Sequence, residues 1–399
     1  MAGLAIQVAR ADRREARGTG PAQKRLACVL VCRFLAAGLA VAFTSLTAAA
    51  PISADSSAKL VSGLTISGRG FGHGIGLSQW GAEERAKAGQ SHQQILSFYY
   101  PGTEIRVVPS RTVRVLLAEQ SRLIIGSRSA FTIADAGGRT VNLAAGHYPV
   151  SRDGHVDGQS LTLPINIVPG REPVMFGGSR YRGTLTIGLD GSRLYAVNTL
   201  DLEQYVGDVV SYENPANWPP EALRAQAIAS RSYALANLRP DAAWDLYPDD
   251  RSQNYGGLRK EYPTAVAAAS ATRGQVLRYR GEIVDALFSA SNGGLTSTTD
   301  GVWGGPVLPY FAVRSDQFDA RSPASNWGPI RVAISTLRQD FPDLPSAGIV
   351  SVSIATNPAN RAASVTFLGV DGSTVAISGP AFQQRLGLRS TYLSLVPTY

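Results

Sequence analysis

A chain of 399 residues, 44% hydrophobic and 8% aromatic, is long enough for two average domains and can bury a real core. Only 17% of residues are charged, while 41 glycines and 23 prolines favour many short elements joined by turns. Wholesale disorder, collagen, a coiled coil and a polytopic membrane protein are thereby excluded. The net charge of +8 is concentrated in residues 1–54, with seven basic and two acidic side chains; the other 345 residues carry 31 basic and 28 acidic. No basic stripe is visible there, so no nucleic-acid partner is expected.

In chain order, a basic stretch ending at Lys24-Arg25 is followed by the apolar runs 26–31 and 34–43, then by small residues up to Ala50. This is the layout of a secretory signal peptide over residues 1–50, which predicts export. Arg33 interrupts the apolar stretch, so no membrane span is expected after cleavage; a retained N-terminal anchor is the alternative. Cys28 and Cys32 both lie in this leader, which leaves the mature chain without a disulfide, a zinc-thiolate site or a cysteine nucleophile.

From Leu60 the sequence reads as a strand, a loop with glycine at 68, 70, 72, 74 and 76, and a helix from Ser78 to Lys87 that stops at Gly89. A short helix at Gln93–Tyr99 ends at Pro101-Gly102. Residues 105–200 are strand country, with β-branched runs at 112–118, 129–135, 139–145, 159–168, 181–189 and 192–200 separated by turn residues. Helices follow at Asp201–Val210 and Pro219–Leu238, the second opening on two prolines and rich in alanine and serine, which predicts close packing and burial. Further strands are expected at 274–280, 282–291, 350–356, 362–369 and 374–378. Residues 55–399 read as one α+β unit, rich in strands, with its helices clustered around 201–238.

Glu213 lies at the corner between those two helices, beside Tyr212 and Trp218. A carboxyl desolvated there would have a raised pKa and suit general-acid chemistry near neutral pH, whereas a helix-end carboxylate would do nothing of the kind. His73, flanked by glycines, reads either as a substrate contact or as a turn histidine bonding local backbone. No Gly-Lys-Ser/Thr follows the glycines, so nucleotide binding is not expected. There is no Gly-x-Ser-x-Gly elbow for a serine hydrolase. The histidines are scattered, and Asp249, Asp250 and Ser252 offer only hard oxygen ligands, so neither a metal nor any cofactor is expected.

Two long blocks carry a resemblance. Ser67–Ala82 (SGRGFGHGIGLSQWGA) with Ile95–Glu104 (ILSFYYPGTE), and Leu202–Leu235 (LEQYVGDVVSYENPANWPPEALRAQAIASRSYAL), resemble the SpoIID/LytB family of stage II sporulation protein D-like cell-wall proteins. Further similarity runs through QNYGG from Gln253, ASNGGLTS from Ala290, DGVWGG from Asp300 and FQQRLGLRST from Phe382. The resemblance implies that Glu213, two residues before Pro215, is a catalytic acid. It further implies that His73, Gln79, Gln226, Arg231, Tyr233, Gln253, Tyr255, Ser289, Ser291, Gly293 and Gly294 contact substrate. Residues 55–105 would then be a glycine–histidine–glycine segment, 106–200 a β-rich lobe, 201–320 the catalytic core and 321–399 a C-terminal β segment.

In many relatives the glycine–histidine block comes last; here it comes first, as in a circular permutation, so the terminal strand is expected beside Leu64–Ser67. Some relatives place histidine and cysteines near the Gln-x-Tyr-Gly cluster to hold a metal, which this chain lacks. The implied function is lytic transglycosylation of peptidoglycan glycan strands, which needs one carboxyl because the sugar's own C6 hydroxyl is the nucleophile, whereas ordinary hydrolysis uses two. The alternative is a non-catalytic wall protein that binds glycan and stimulates a partner amidase.

Overall fold

The computed structural model describes residues 59–399. The expected leader and its two cysteines lie outside the described residues. Five helices matter for the site: α1 (Gln79–Lys87), α2 (His92–Tyr99), α3 (Leu202–Glu213), α4 (Pro220–Ala236) and α5 (Pro263–Ala271). The fold is α+β.

Between α2 and α3 the chain forms a lobe of two antiparallel sheets. One has six strands in the order 112–120, 193–201, 184–190, 165–168, 131–134 and 140–143. The other has four, in the order 179–181, 174–176, 123–127 and 146–150. Their inward rows, such as Ile125, Ile133, Ile165, Ile167 and Ile187, share one apolar core with α1 to α4. Alternating in-and-out burial along these strands is what a half-buried sheet requires.

The helices gather where the alanines are. From Ala222 to Ala234 only Arg224 is not buried, since small side chains let neighbouring backbones approach on every face. α3 and α4 both pack on α5, an alanine-rich helix with proline in its first turn that the sequence reading does not anticipate, because it lacks an amphipathic stripe. The expected strand over 282–291 is also corrected. Only Glu282–Ile283 and Phe288–Ser289 are extended, and the latter pairs in parallel with Leu77–Ser78 just ahead of α1.

A second core lies towards the C-terminus. Strand Gly63–Arg69 runs between Asn326–Ala333 and Leu393–Thr398, antiparallel to both, with Thr65 opposite Arg331 on one side and Val396 on the other. Leu64 and Ile66 thereby pack with Phe341, Phe367 and Phe382. The terminal strand lies beside Leu64–Ser67, as expected. Residues 59–69 thus share a core with segment 326–398.

Candidate active site

Glu213 is the last residue of α3, and the reason is local. Pro215 disfavours helical backbone at Asn214, which adopts φ −124° and ψ 147° and ends the helix. The carboxyl is only 2% exposed. Its Oε2 accepts from Gln79 Nε2 at 3.0 Å, and its Oε1 accepts from the Asn254 backbone N–H at 2.9 Å. Gln79 is the first residue of α1, and its position is fixed by Ser78, whose hydroxyl caps α1 and donates to Asp319 at 2.6 Å.

Burial pushes the Glu213 carboxyl up to about 7, against the lowering effect of the donors from Asn254 and Gln79 and of the more distant Lys260 charge. The negative end of the α3 dipole works in the same direction as burial. Burial also holds Asp208, one and a half turns earlier, above the usual carboxylate range. That group is tied to Arg182 at 3.2 Å, whereas the hydrogen-bond partners of Glu213 are neutral. A carboxyl that is half protonated near neutrality and held by neutral donors can give up and take back a proton.

Around Glu213 several amide atoms are buried without a hydrogen-bond partner: Gln79 Oε1, Gln226 Oε1, Gln253 Oε1 and both side-chain polar atoms of Asn214. Trp80 meets Trp218 edge to face at 5.2 Å, tying α1 to the turn after Glu213, and the Tyr212 hydroxyl donates to the Gly256 carbonyl at 2.9 Å.

The other sequence candidates fall into three groups. Gln79 touches Glu213 directly. Gln226, Gln253, Tyr233 and Tyr255 line the interior beside α3 and α4. Gln226 Nε2 donates to Ser230 Oγ at 3.0 Å, Gln253 Nε2 to Tyr205 Oη at 3.2 Å and Tyr255 Oη to Asn198 at 2.5 Å, while the Tyr233 hydroxyl bonds Ser252. Arg231, fully buried, spends its guanidinium on Glu203 (2.7 and 3.0 Å) and on the carbonyls of Ala269 and Gln275, so its contacts are internal.

His73, Ser289, Ser291, Gly293 and Gly294 form the third group. His73 Nδ1 accepts from Ile75 N–H at 2.9 Å, the local backbone bond of a turn histidine, and its ring lies 5.2 Å from that of Trp303. Burial, then the Arg361 charge, lowers it to about 3, so it is neutral at physiological pH. Ser289 Oγ accepts from Gly74 N–H. Ser291 Oγ and the Gly293 and Gly294 N–H groups all donate to Asp319. Gly74 has φ +72°, and a Cβ there would lie 2.0 Å from Arg361 Nη2, so this glycine serves the insertion of a buried arginine.

Asn254, Asp319 and Arg361 escaped the sequence reading. Asn254 acts through its backbone, and the other two sit in segments without local signal. Among the described residues no group of three histidine, cysteine, aspartate or glutamate side chains is arranged to hold a metal, and Asp249 is paired with Arg251.

Comparison with known proteins locates the similarity on these same elements. Residues 190–279, which contain α3, Glu213, α4 and Asn254, match the family model described as stage II sporulation protein. An uncharacterised protein of Brachyspira hyodysenteriae is 34% identical over 136 residues, covering 33% of this chain and 37% of its own. The amidase enhancer of Bacillus subtilis is 37% identical over 112 residues (28% and 15%), and stage II sporulation protein D of the same organism is 25% identical over 212 (49% and 60%). The chain therefore spans between 15% and 60% of the length of these relatives. These matches support the resemblance to the stage II sporulation protein D (SpoIID/LytB) family, carried in the family model by residues 190–279.

Proposed function

We propose that this is an exported cell-wall protein that cleaves peptidoglycan glycan strands by lytic transglycosylation, with Glu213 as its acid. The supporting observation is the Glu213 carboxyl itself, buried at a helix end, pushed up to about 7 and gripped by two neutral donors. In the proposed reaction its proton passes to the bridging glycosidic oxygen as the anomeric C–O bond breaks. The C6 hydroxyl of the same sugar closes on the anomeric carbon and returns its proton to Glu213, giving an anhydro-muramyl end and a free hydroxyl on the departing sugar. One carboxyl completes the cycle, since no water is activated.

A second reading rests on the relative named amidase enhancer: the chain binds glycan and stimulates a partner amidase. Mass spectrometry of peptidoglycan incubated with the purified protein separates the two. Anhydro-muramyl ends support the enzyme. Unaltered glycan, together with faster stem release by an added amidase, supports the enhancer.

A further inference from the structure

The four-stranded sheet of the β lobe carries a cavity of about 540 Å³, lined in part by segment 258–259. One row of residues crosses its floor: His147, Gly126, Met175 and Arg180, each paired with the next on adjacent strands. Gly126 has no side chain, and a Cβ there would lie 3.1 Å from the His147 ring. Ile124, 55% exposed, adds an apolar step beside the row, while Arg128 and Arg259 stand at the edge.

Three arginines and an imidazole interspersed with the apolar Ile124 and Met175 make an unusual surface for a chain whose described part is nearly neutral. Their engagements are slight. Among the described residues the side chains of Arg128 and His147 form no hydrogen bond or ion pair. Arg180 lies 3.9 Å from Glu172, and Arg259 meets the Tyr212 hydroxyl. Such a hollow falls in the size range of specific ligand sites, and its charge calls for carboxylates. The row spans three strand intervals, about 14 Å at ~4.8 Å each, which matches an extended peptide of about four residues.

The position relative to Glu213 is informative. The segment that gives Glu213 the Asn254 N–H ends at Arg259 in this cavity, and Tyr212, the neighbour of Glu213, bonds Gly256 between them. Ser179 Oγ, on the strand that carries Arg180, also donates to Gly256 O at 2.5 Å.

We propose that this cavity binds the short acidic peptide stem attached to the glycan, with its carboxylates on Arg128, Arg180 and Arg259 and its apolar side chains over Ile124 and Met175. The inference rests on the glycan-cleaving reading for its choice of ligand, but binding can be measured without turnover.

The test titrates the Glu213→Gln form of the exported chain with a synthetic acidic stem tetrapeptide free of glycan, by calorimetry. The same peptide with its carboxylates amidated and a glycerol-phosphate oligomer serve as comparators. We expect saturable binding that weakens at least about tenfold on amidation and in the Arg128→Ser/Arg180→Ser double variant, whose thermal midpoint stays unchanged. Equal binding of the amidated peptide, or tighter binding of the phosphate oligomer, overturns the proposal, and neither result depends on the double variant folding. Glycan cleavage without peptide binding refutes the cavity assignment alone; peptide binding without cleavage by the unsubstituted chain refutes the transglycosylase reading alone.

Discussion

Replacing Glu213 by glutamine tests the chemistry and the electrostatics together. A carboxyl raised from 4.5 to about 7 by burial binds its proton more tightly in the folded chain than in the unfolded one. Its contribution to stability is therefore undiminished below pH ~4.5 and is lost as pH rises through about 7. At ~1.4 kcal/mol per unit, the wild-type chain loses about 3 kcal/mol from this group by pH 8. Because Glu213 is 2% exposed, solvent screening does little to reduce that figure. Glu213→Gln removes the charge but keeps the shape. Asn254 N–H still finds a carbonyl oxygen, and rotating the Gln79 amide turns its unpartnered Oε1 towards the new N–H. The variant should match the wild type at pH 4.5 and exceed it at pH 8, by about 4 °C for a unit of roughly 340 residues. Glycan cleavage, followed as anhydro-muramyl ends by mass spectrometry, should vanish at every pH. Wild-type cleavage in the variant, or a stability difference independent of pH, would refute the reasoning.

Gln79→Leu removes a donor that favours the carboxylate, so the alkaline limb of the pH–rate profile should move up by about one unit; an unmoved limb means that Gln79 does not act on Glu213. Arg231→Leu strands the buried Glu203 carboxylate and should cost about 3–5 kcal/mol in urea unfolding, most of it recovered by adding Glu203→Leu. A direct substrate role for Arg231 predicts instead that the double variant folds yet stays inactive. Gly74→Ala forces a Cβ into Arg361 on a left-handed backbone, and a loss of about 2–4 kcal/mol is expected, readable as a lower thermal midpoint.

Part of the candidate site is legible locally. Glu213 could be singled out from its own neighbourhood, because Pro215 ends a helix there and aromatic residues flank it, and the alanine-rich stretch 222–234 announced a buried helix. The glycine alternation from 68 to 76 announced close backbone approach, and it occurs against Arg361, Ser289 and Trp327. These signals survive in sequence because each depends on neighbours within a few residues. What sets the Glu213 pKa is of another kind: burial raises it, and the donors that oppose burial come from far along the chain, Gln79 from 134 residues away and the Asn254 N–H from 41 residues away. Nor could sequence patterning place the strands 123–127, 146–150 and 174–176, all short and the first two carrying glycine or proline, so the basic cavity on their outer face was invisible. Periodicity records which side of an element is buried, and only the tertiary structure decides which distant backbone amide, arginine or carboxyl it is buried against.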